Sequence, residues 1–321
     1  MQQFIERARR GRHRVVYAEG AQPRILQAAR RVADEGIAAV ILLGEPEQIS
    51  EVATGQGISL QGLEIVDPAN SDRLEDYAAL YLKGRESARP GMAARLVRKP
   101  LYFASMMVRA GDADLVVAGI ANPTRRLIEA AGLCIGFAPG ITVPSSFFLM
   151  SVPGREQPLL FADCAVNVDP DAAQLAQIAV TSAQSARRLF TQTPRVAMLS
   201  FSTRGSADHP QVDKVTEALR LARDMAPELA IDGELQADAA LSSAAAGSKV
   251  KGESAVAGRA NVLIFPDLNS GNIGYKLVQQ LAGAEAMGPL LQGFARPVAD
   301  LSRGAGVEEV VATTAAALAL A

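Results

Sequence analysis

The stretch "SFSTRGSADHP" gathers Ser202, Thr203, Gly205 and Ser206 around Arg204, directly ahead of a segment with helical apolar spacing. Hydroxyls, exposed backbone N–H groups and a guanidinium before a helix N-terminus are the parts of an anion or phosphate site. The order of residues is not that of a P-loop, which needs Gly-Lys-Ser/Thr, and a capped turn accounts for the same residue types. "FPDLNSGNIGYK" is a second such segment, with Asn269, Ser270, Gly271 and Asn272 placed before a helix. Asn and Gly are also ordinary turn residues, so the turn reading stands beside the site reading there. A third segment, "VADLSRGAGVEEVVATT", sets Ser302, Arg303 and Gly304 before the last apolar helix. Ser and Asp suit an N-cap, and Glu308 and Glu309 suit the positive end of the helix dipole. Capping requires neither the arginine nor both glycines, so Ser302 and Arg303 are candidates for holding a charged group.

Other chemistries find less support. Asp232, Glu234 and Asp238 in "DGELQADAAL" have a spacing that could hold a divalent cation. No histidine or further acidic cluster completes the set, and a strand end followed by a capped helix explains the three, so no metal is expected. His13 lies in a basic segment and is expected in solvent, while His209 is expected to bond backbone rather than act as acid or base. No Ser-His-Asp set and no GxGxxG fingerprint can be assembled. Cys134 and Cys164 have no CxxC or Cys/His spacing and read as buried small apolar residues.

The elements that must position these loops follow an α/β pattern. "HRVVYAEG", "RILQAARRVADEG" and "AAVILLGEP" read as strand, helix and strand with short connections, a βαβ unit that implies a parallel sheet. "LEIVDP" and "ADLVVAG" read as further strands, and "RLEDYAALYLKGRES" and "MAARLVRKPLYFASMMVRAG" each as one helix. After two proline turns, "SSFFLMSVP" and "PLLFADCAV" read as a hairpin; helix–strand alternation then resumes. The expected organisation is two α/β domains with a cleft between them, residues 1–140 with 297–321 and residues 141–296. The candidate loops follow the C-terminal ends of strands, where open α/β sheets bind ligands. At 321 residues, 49% hydrophobic and net charge −2, the chain has a globular composition and no basic field for nucleic acid. With neither a secretory leader nor a membrane-length apolar run, a cytoplasmic protein is expected.

The segments "SSFFLMSVP", "FADCAVNVDP", "VAMLSFSTRGSADH", "DGELQADAAL", "ANVLIFPDLNSGNIGYK" and "AMGPLLQGFARPVADLSRG" resemble, in order, those of the phosphate acetyl/butyryltransferase family. The resemblance implies an isocitrate/isopropylmalate dehydrogenase-like fold, usually a homodimer, without metal, nicotinamide or other bound cofactor. The implied reaction is acetyl-CoA + phosphate = acetyl phosphate + CoA, with coenzyme A as substrate and its thiolate attacking the acyl phosphate. By the same resemblance, Ser302 and Arg303 serve near the reacting carbonyl and phosphate, and Glu309 stands where the family has its base, as Glu rather than the expected Asp. Lys83, Glu129 and Gln280 stand where the family usually carries arginines. Lys keeps the charge without the bidentate fork, and the other two lose it. Arg125 and Arg126 offer replacement cations if the helix register turns one inward. A relative that binds acyl-CoA without turnover, and an enzyme for propionyl or butyryl groups, are the alternatives.

Overall fold

The computed structural model describes residues 2–85 and 89–321. The chain forms two compact units, Met1–Pro139 with Phe294–Ala321, and Gly140–Gly293.

The first unit begins with α1 (Gln2–Gly11), β1 (Arg14–Tyr17), α2 (Pro23–Asp34), β2 (Ala39–Leu43), α3 (Pro46–Gly55) and β3 (Glu64–Val66). It continues with α4 (Leu74–Leu82), α5 (Pro90–Val97), α6 (Pro100–Ala110), β4 (Leu115–Ala118) and α7 (Thr124–Cys134). The apolar runs Val15–Tyr17, Val40–Leu43 and Leu115–Ala118 are buried, as strands covered on both faces must be. The expected single helix over residues 92–111 is two. Pro100 has no N–H to continue a helix and forces Lys99 into an extended conformation, φ −80° and ψ 133°. α4 stops at Leu82, and the expected end of that helix, residues 86–87, lies outside the described residues. His13 is not solvated as expected: its ring is largely covered, with Nδ1 3.8 Å from the Asp114 carboxylate.

The second unit contains β5 (Ser145–Ser151), β6 (Leu159–Ala162), α8 (Ala172–Leu189), β7 (Val196–Leu199), α9 (Pro210–Met225) and β8 (Ile231–Leu235). α10 (Ala237–Leu241), α11 (Ser243–Lys249), β9 (Val262–Ile264), α12 (Leu268–Ala282) and β10 (Glu285–Gln292) follow. Its strand order is β10-β5-β6-β9-β7-β8. The expected hairpin is present as the antiparallel pair β5–β6, and β10 runs antiparallel along the other side of β5. Phe148, Met150, Phe161, Cys164, Leu199 and Leu263 form part of one buried cluster. α12 starts earlier than its sequence suggests. Asp267 caps it by accepting from Ser270 N–H, so Asn269 to Asn272 lie in its first turns rather than in a loop before it. Gly271 is required there, because a Cβ would stand 2.2 Å from the Asp163 carbonyl oxygen.

The chain then completes the first unit with β11 (Val298–Asp300) and α13 (Val307–Leu318). Within that unit the strand order is β3-β2-β1-β4-β11, all parallel. α13 packs on α1, α2 and the strands β4 and β11. Among the described residues, no helix is long and apolar enough to cross a membrane.

Candidate active site

The "STRGS" loop of the second unit leaves β7 and turns its polar groups toward β8. Ser202 Oγ donates to Glu234 Oε1 at 2.7 Å, and Gly205 N–H donates to the same oxygen at 2.8 Å. Arg204 Nη2 donates to Asp232 Oδ2 at 2.6 Å while its own N–H donates to the Glu234 carbonyl. Those bonds hold Arg204 at φ 50°, the left-handed region that non-glycine residues rarely enter. Thr203 N–H donates to Ser206 Oγ, and Thr203 Oγ1 accepts from Gln236 N–H. Ser202, Thr203, Asp232 and Glu234 are buried, whereas Arg204, Gly205 and Ser206 stay exposed. Asp232 and Glu234 are therefore engaged inside the fold, while Asp238 is exposed and pairs with Lys249 Nζ at 2.6 Å. His209 caps α9, its Nδ1 accepting from Gln211 N–H at 3.1 Å. Asn272 Nδ2 donates to the Cys164 carbonyl at 3.0 Å and so ties α12 to the end of β6.

The "LSRG" loop of the first unit is built the other way round. It joins β11 to α13, and its side chains point out while its backbone is held. The helix starts at Val307 with Gly306 as N-cap, so Ser302 caps nothing. Ser302 instead opens a turn, its carbonyl accepting from Ala305 N–H. Ser302, Arg303 and Gly304 are exposed, and neither the Ser302 hydroxyl nor the Arg303 guanidinium has a hydrogen-bonding partner among the described residues. Arg24 on α2 anchors the turn: Nη1 donates to the Ala305 carbonyl at 2.6 Å and Nη2 to the Arg303 carbonyl at 2.9 Å. A second α2 arginine, Arg31, pairs with Glu308 in the first turn of α13. Sequence reasoning missed Arg24. The one local clue is a cation in the first turn of a helix, where the dipole disfavours it.

Glu309 lies one turn further on and is half-buried. Burial pushes its carboxyl above the ordinary carboxylate range, with the Gly306 N–H and the Arg24 charge pulling it down less strongly. A carboxylate raised in this way is a better proton acceptor than an exposed one.

At the C-terminal ends of β1 and β4, the first unit also has a cavity of about 510 Å³. Lys99, Tyr102, Asn122, Arg126 and Glu129 supply its polar lining. Arg126 is thus the arginine of the Arg125–Arg126 pair that points inward. Glu129 accepts from Tyr102 Oη at 3.1 Å, and Lys99 Nζ stands 5.8 Å from that ring's centre. The opposite rim segment, Gly119 to Asn122, is held by buried Glu19, which accepts from three backbone N–H groups and from Asn122 Nδ2 at 2.8–3.1 Å. Lys83 and Gln280 are exposed, the first just past α4 and the second on α12. Cys134 and Cys164 are buried free thiols, and burial pushes Cys134 up to about 12, which makes it a poor nucleophile.

The two α/β units carry the fold of an acyltransferase family. Residues 1–318 match the phosphate acetyl/butaryl transferases, and the chain belongs to that family. It is 48% identical over 324 residues to the phosphate acetyltransferase of Thermoanaerobacterium thermosaccharolyticum, covering 98% of each chain. Identity to the phosphate acetyltransferase of Clostridium acetobutylicum is 46%, over 95% of this chain and 93% of that one. Among solved structures, a phosphotransacetylase from Streptococcus pyogenes superposes with a TM-score of 0.92 at 40% identity, covering 100% of this chain and 99% of the other.

Proposed function

We propose that this protein is a phosphate acetyltransferase that interconverts acetyl-CoA and phosphate with acetyl phosphate and coenzyme A. The observation that carries this reading is the anchored turn with free Ser302 and Arg303 side chains, followed by Glu309 in a setting that favours its proton-bound form. Glu309 takes the thiol proton of coenzyme A, and the thiolate attacks the acetyl carbonyl. The Ser302 hydroxyl donates to the oxygen on which negative charge develops. As the new C–S bond forms, the C–O bond to phosphate breaks, and Arg303 receives the departing dianion. The exposed Gly304 lets substrate approach the backbone. Lys99 and Arg126 supply cations to the neighbouring cavity, where Glu129 offers none, and Lys83 adds positive charge beyond α4. In the second unit, exposed Arg204, Gly205 and Ser206 offer polar groups to substrate at a surface whose shape Ser202 and Thr203 maintain from behind. Asn272 holds the start of α12 to the end of β6.

Release of free thiol from acetyl-CoA on adding phosphate tests the reading, run beside propionyl- and butyryl-CoA. We expect the acetyl compound to turn over fastest; no phosphate-dependent release from any of the three would defeat the proposal. Because Glu309 must be ionised to act, kcat/KM should rise with pH through a value above the usual carboxylate range. That limb should vanish in Glu309→Gln along with most of the rate, and an unchanged limb in the variant would assign it elsewhere.

Two further assignments belong to the same proposal. A second copy of the chain is the proposed partner. Ile273, Leu277 and Leu281 recur at helical spacing on one face of α12 and are 56%, 52% and 82% exposed, which supports an apolar contact. A cytoplasmic reaction is proposed on the nature of its substrates, supported by the two free thiols.

A further inference from the structure

Asp300 ends β11, two residues before Ser302, and takes no direct part in the chemistry described above. Only 1% of it is exposed. Its Oδ2 lies 2.5 Å from Thr124 Oγ1 at the start of α7. Its Oδ1 is buried with no hydrogen-bonding partner among the described residues. The strand end is pressed against Gly119: a Cβ there would stand 2.5 Å from Oδ1 and 2.4 Å from the Leu301 carbonyl oxygen. Leu301 N–H donates to the Ala118 carbonyl at 2.8 Å, so the exit of β11 is stitched to the exit of β4. That second exit is the segment Glu19 clamps.

We propose that Asp300 is a positioning residue: by bridging to Thr124, it locks the outgoing turn of β11 onto the first turn of α7 and fixes where Ser302 and Arg303 begin. This inference rests on the roles given to Ser302 and Arg303 above. The surroundings favour the neutral form. β4 and the Gly119–Asn122 segment bring no ionisable side chain, and α7 brings Thr124 to the carboxyl while its Arg126 points into the cavity. Glu19, at the end of β1, is the charged group that acts on it, and it repels a second carboxylate. Burial is the larger cause, and together they push Asp300 up to about 7 against the pull of Thr124 and the Leu301 N–H. Above that pH a charge forms whose Oδ1 has no donor, and the stitched contact loosens.

Three variants assayed across pH 5 to about 9 test this. Asp300→Ala should lower kcat by about 10²-fold with KM for phosphate and acetyl-CoA little changed, since it displaces the reacting groups rather than removing one. Asp300→Asn keeps the shape and cannot ionise. It should recover most of that loss and abolish a fall in kcat that the wild type shows above pH 7. Thr124→Val breaks the same bridge from the other side and should reproduce part of the Asp300→Ala loss, which covers the case in which Asp300→Ala does not fold. The sign for stability is fixed as well. Between the unfolded carboxyl value and about 7 the native state holds the extra proton, so unfolding free energy should decrease as pH rises through that window, and Asp300→Asn should remove this dependence. Unchanged kcat in Asp300→Ala and Thr124→Val, with only a lower melting temperature, would make Asp300 structural and overturn the proposal. An Asp300→Asn variant as slow as Asp300→Ala, with the wild-type pH profile, would show that the charge itself is needed and would also overturn it. Absence of turnover in the wild type would instead strike the functional reading, which separates the two failures.

Discussion

Two loops of this protein are built from nearly the same letters, "STRGS" after β7 and "LSRG" after β11, and they are wired in opposite senses. In the first, the Ser hydroxyl, the Gly N–H and the Arg guanidinium all turn inward onto Glu234 and Asp232. In the second, the Ser and Arg side chains are left free, and an arginine from another helix holds the backbone instead. Composition cannot distinguish them, because both contain a serine, an arginine and a glycine beyond a strand. What separates them is whether carboxylates stand within reach. β8 brings two buried ones to the first loop, while the second has only carbonyls facing Arg24. Donors already spent on an internal acceptor shape a surface, and donors left unspent are available to a substrate.

Substitutions can break or sharpen that contrast. The largest effect is expected at Ser302→Ala, with kcat down about 10²–10³-fold, about 3–4 kcal/mol of transition-state stabilisation, and the melting temperature unchanged. Steady-state kinetics beside a thermal melt will show whether the two readouts separate in this way. Glu234→Ala should do the reverse, because it strips the partner from Ser202 and Gly205. Urea denaturation should show about 2–3 kcal/mol lost at constant m, with kcat per folded molecule far less affected. Arg24→Met leaves the carbonyls of Arg303 and Ala305 unheld and should cost about tenfold in kcat. Arg24→Lys, which can restore one of the two bonds, should recover part of it, and equal losses in both would mean the anchoring bonds are not what matters. The smallest effect belongs to Glu129→Gln. Removing a negative charge beside Lys99 and Arg126 should lower KM for an anionic substrate about threefold at low salt, and the gain should fade as salt rises.

Much of this was legible in the sequence, and the reasons differ by element. Val15–Tyr17, Val40–Leu43 and Leu115–Ala118 are uninterrupted apolar runs between glycines, a pattern only a doubly covered strand needs. β11 carried no such signal: "VAD" after Pro297 is too short for any period, and it is a strand because Val298 pairs with Val116 of β4. Ser302 and Arg303 stood out by being surplus to a helix cap, and Glu309 by family resemblance. Arg24 could not be linked to them, since 279 residues separate it from the carbonyl it holds. The fate of Ser202 and Arg204 was equally hidden. Glu234 and Asp232 were visible as acids, but the strand register that turns them toward the loop is a tertiary fact. Arg126 rather than Arg125 faces the cavity because of helix phase, which one proline at residue 123 sets and local spacing alone does not reveal.

The discontinuous path of the first unit also sets an order of events on the ribosome. Gly140–Gly293 is one continuous stretch and can collapse as soon as it emerges. β4 must wait, because the neighbour that closes its outer edge, β11, is made some 180 residues later, between Leu115 and Val298. Until then a buried, wholly apolar strand presents an open edge, the kind of surface on which nascent chains aggregate and chaperones act. Ser302, Arg303 and Glu309 follow β11 directly, so the turn that would do the chemistry and the strand that closes β4 arrive together.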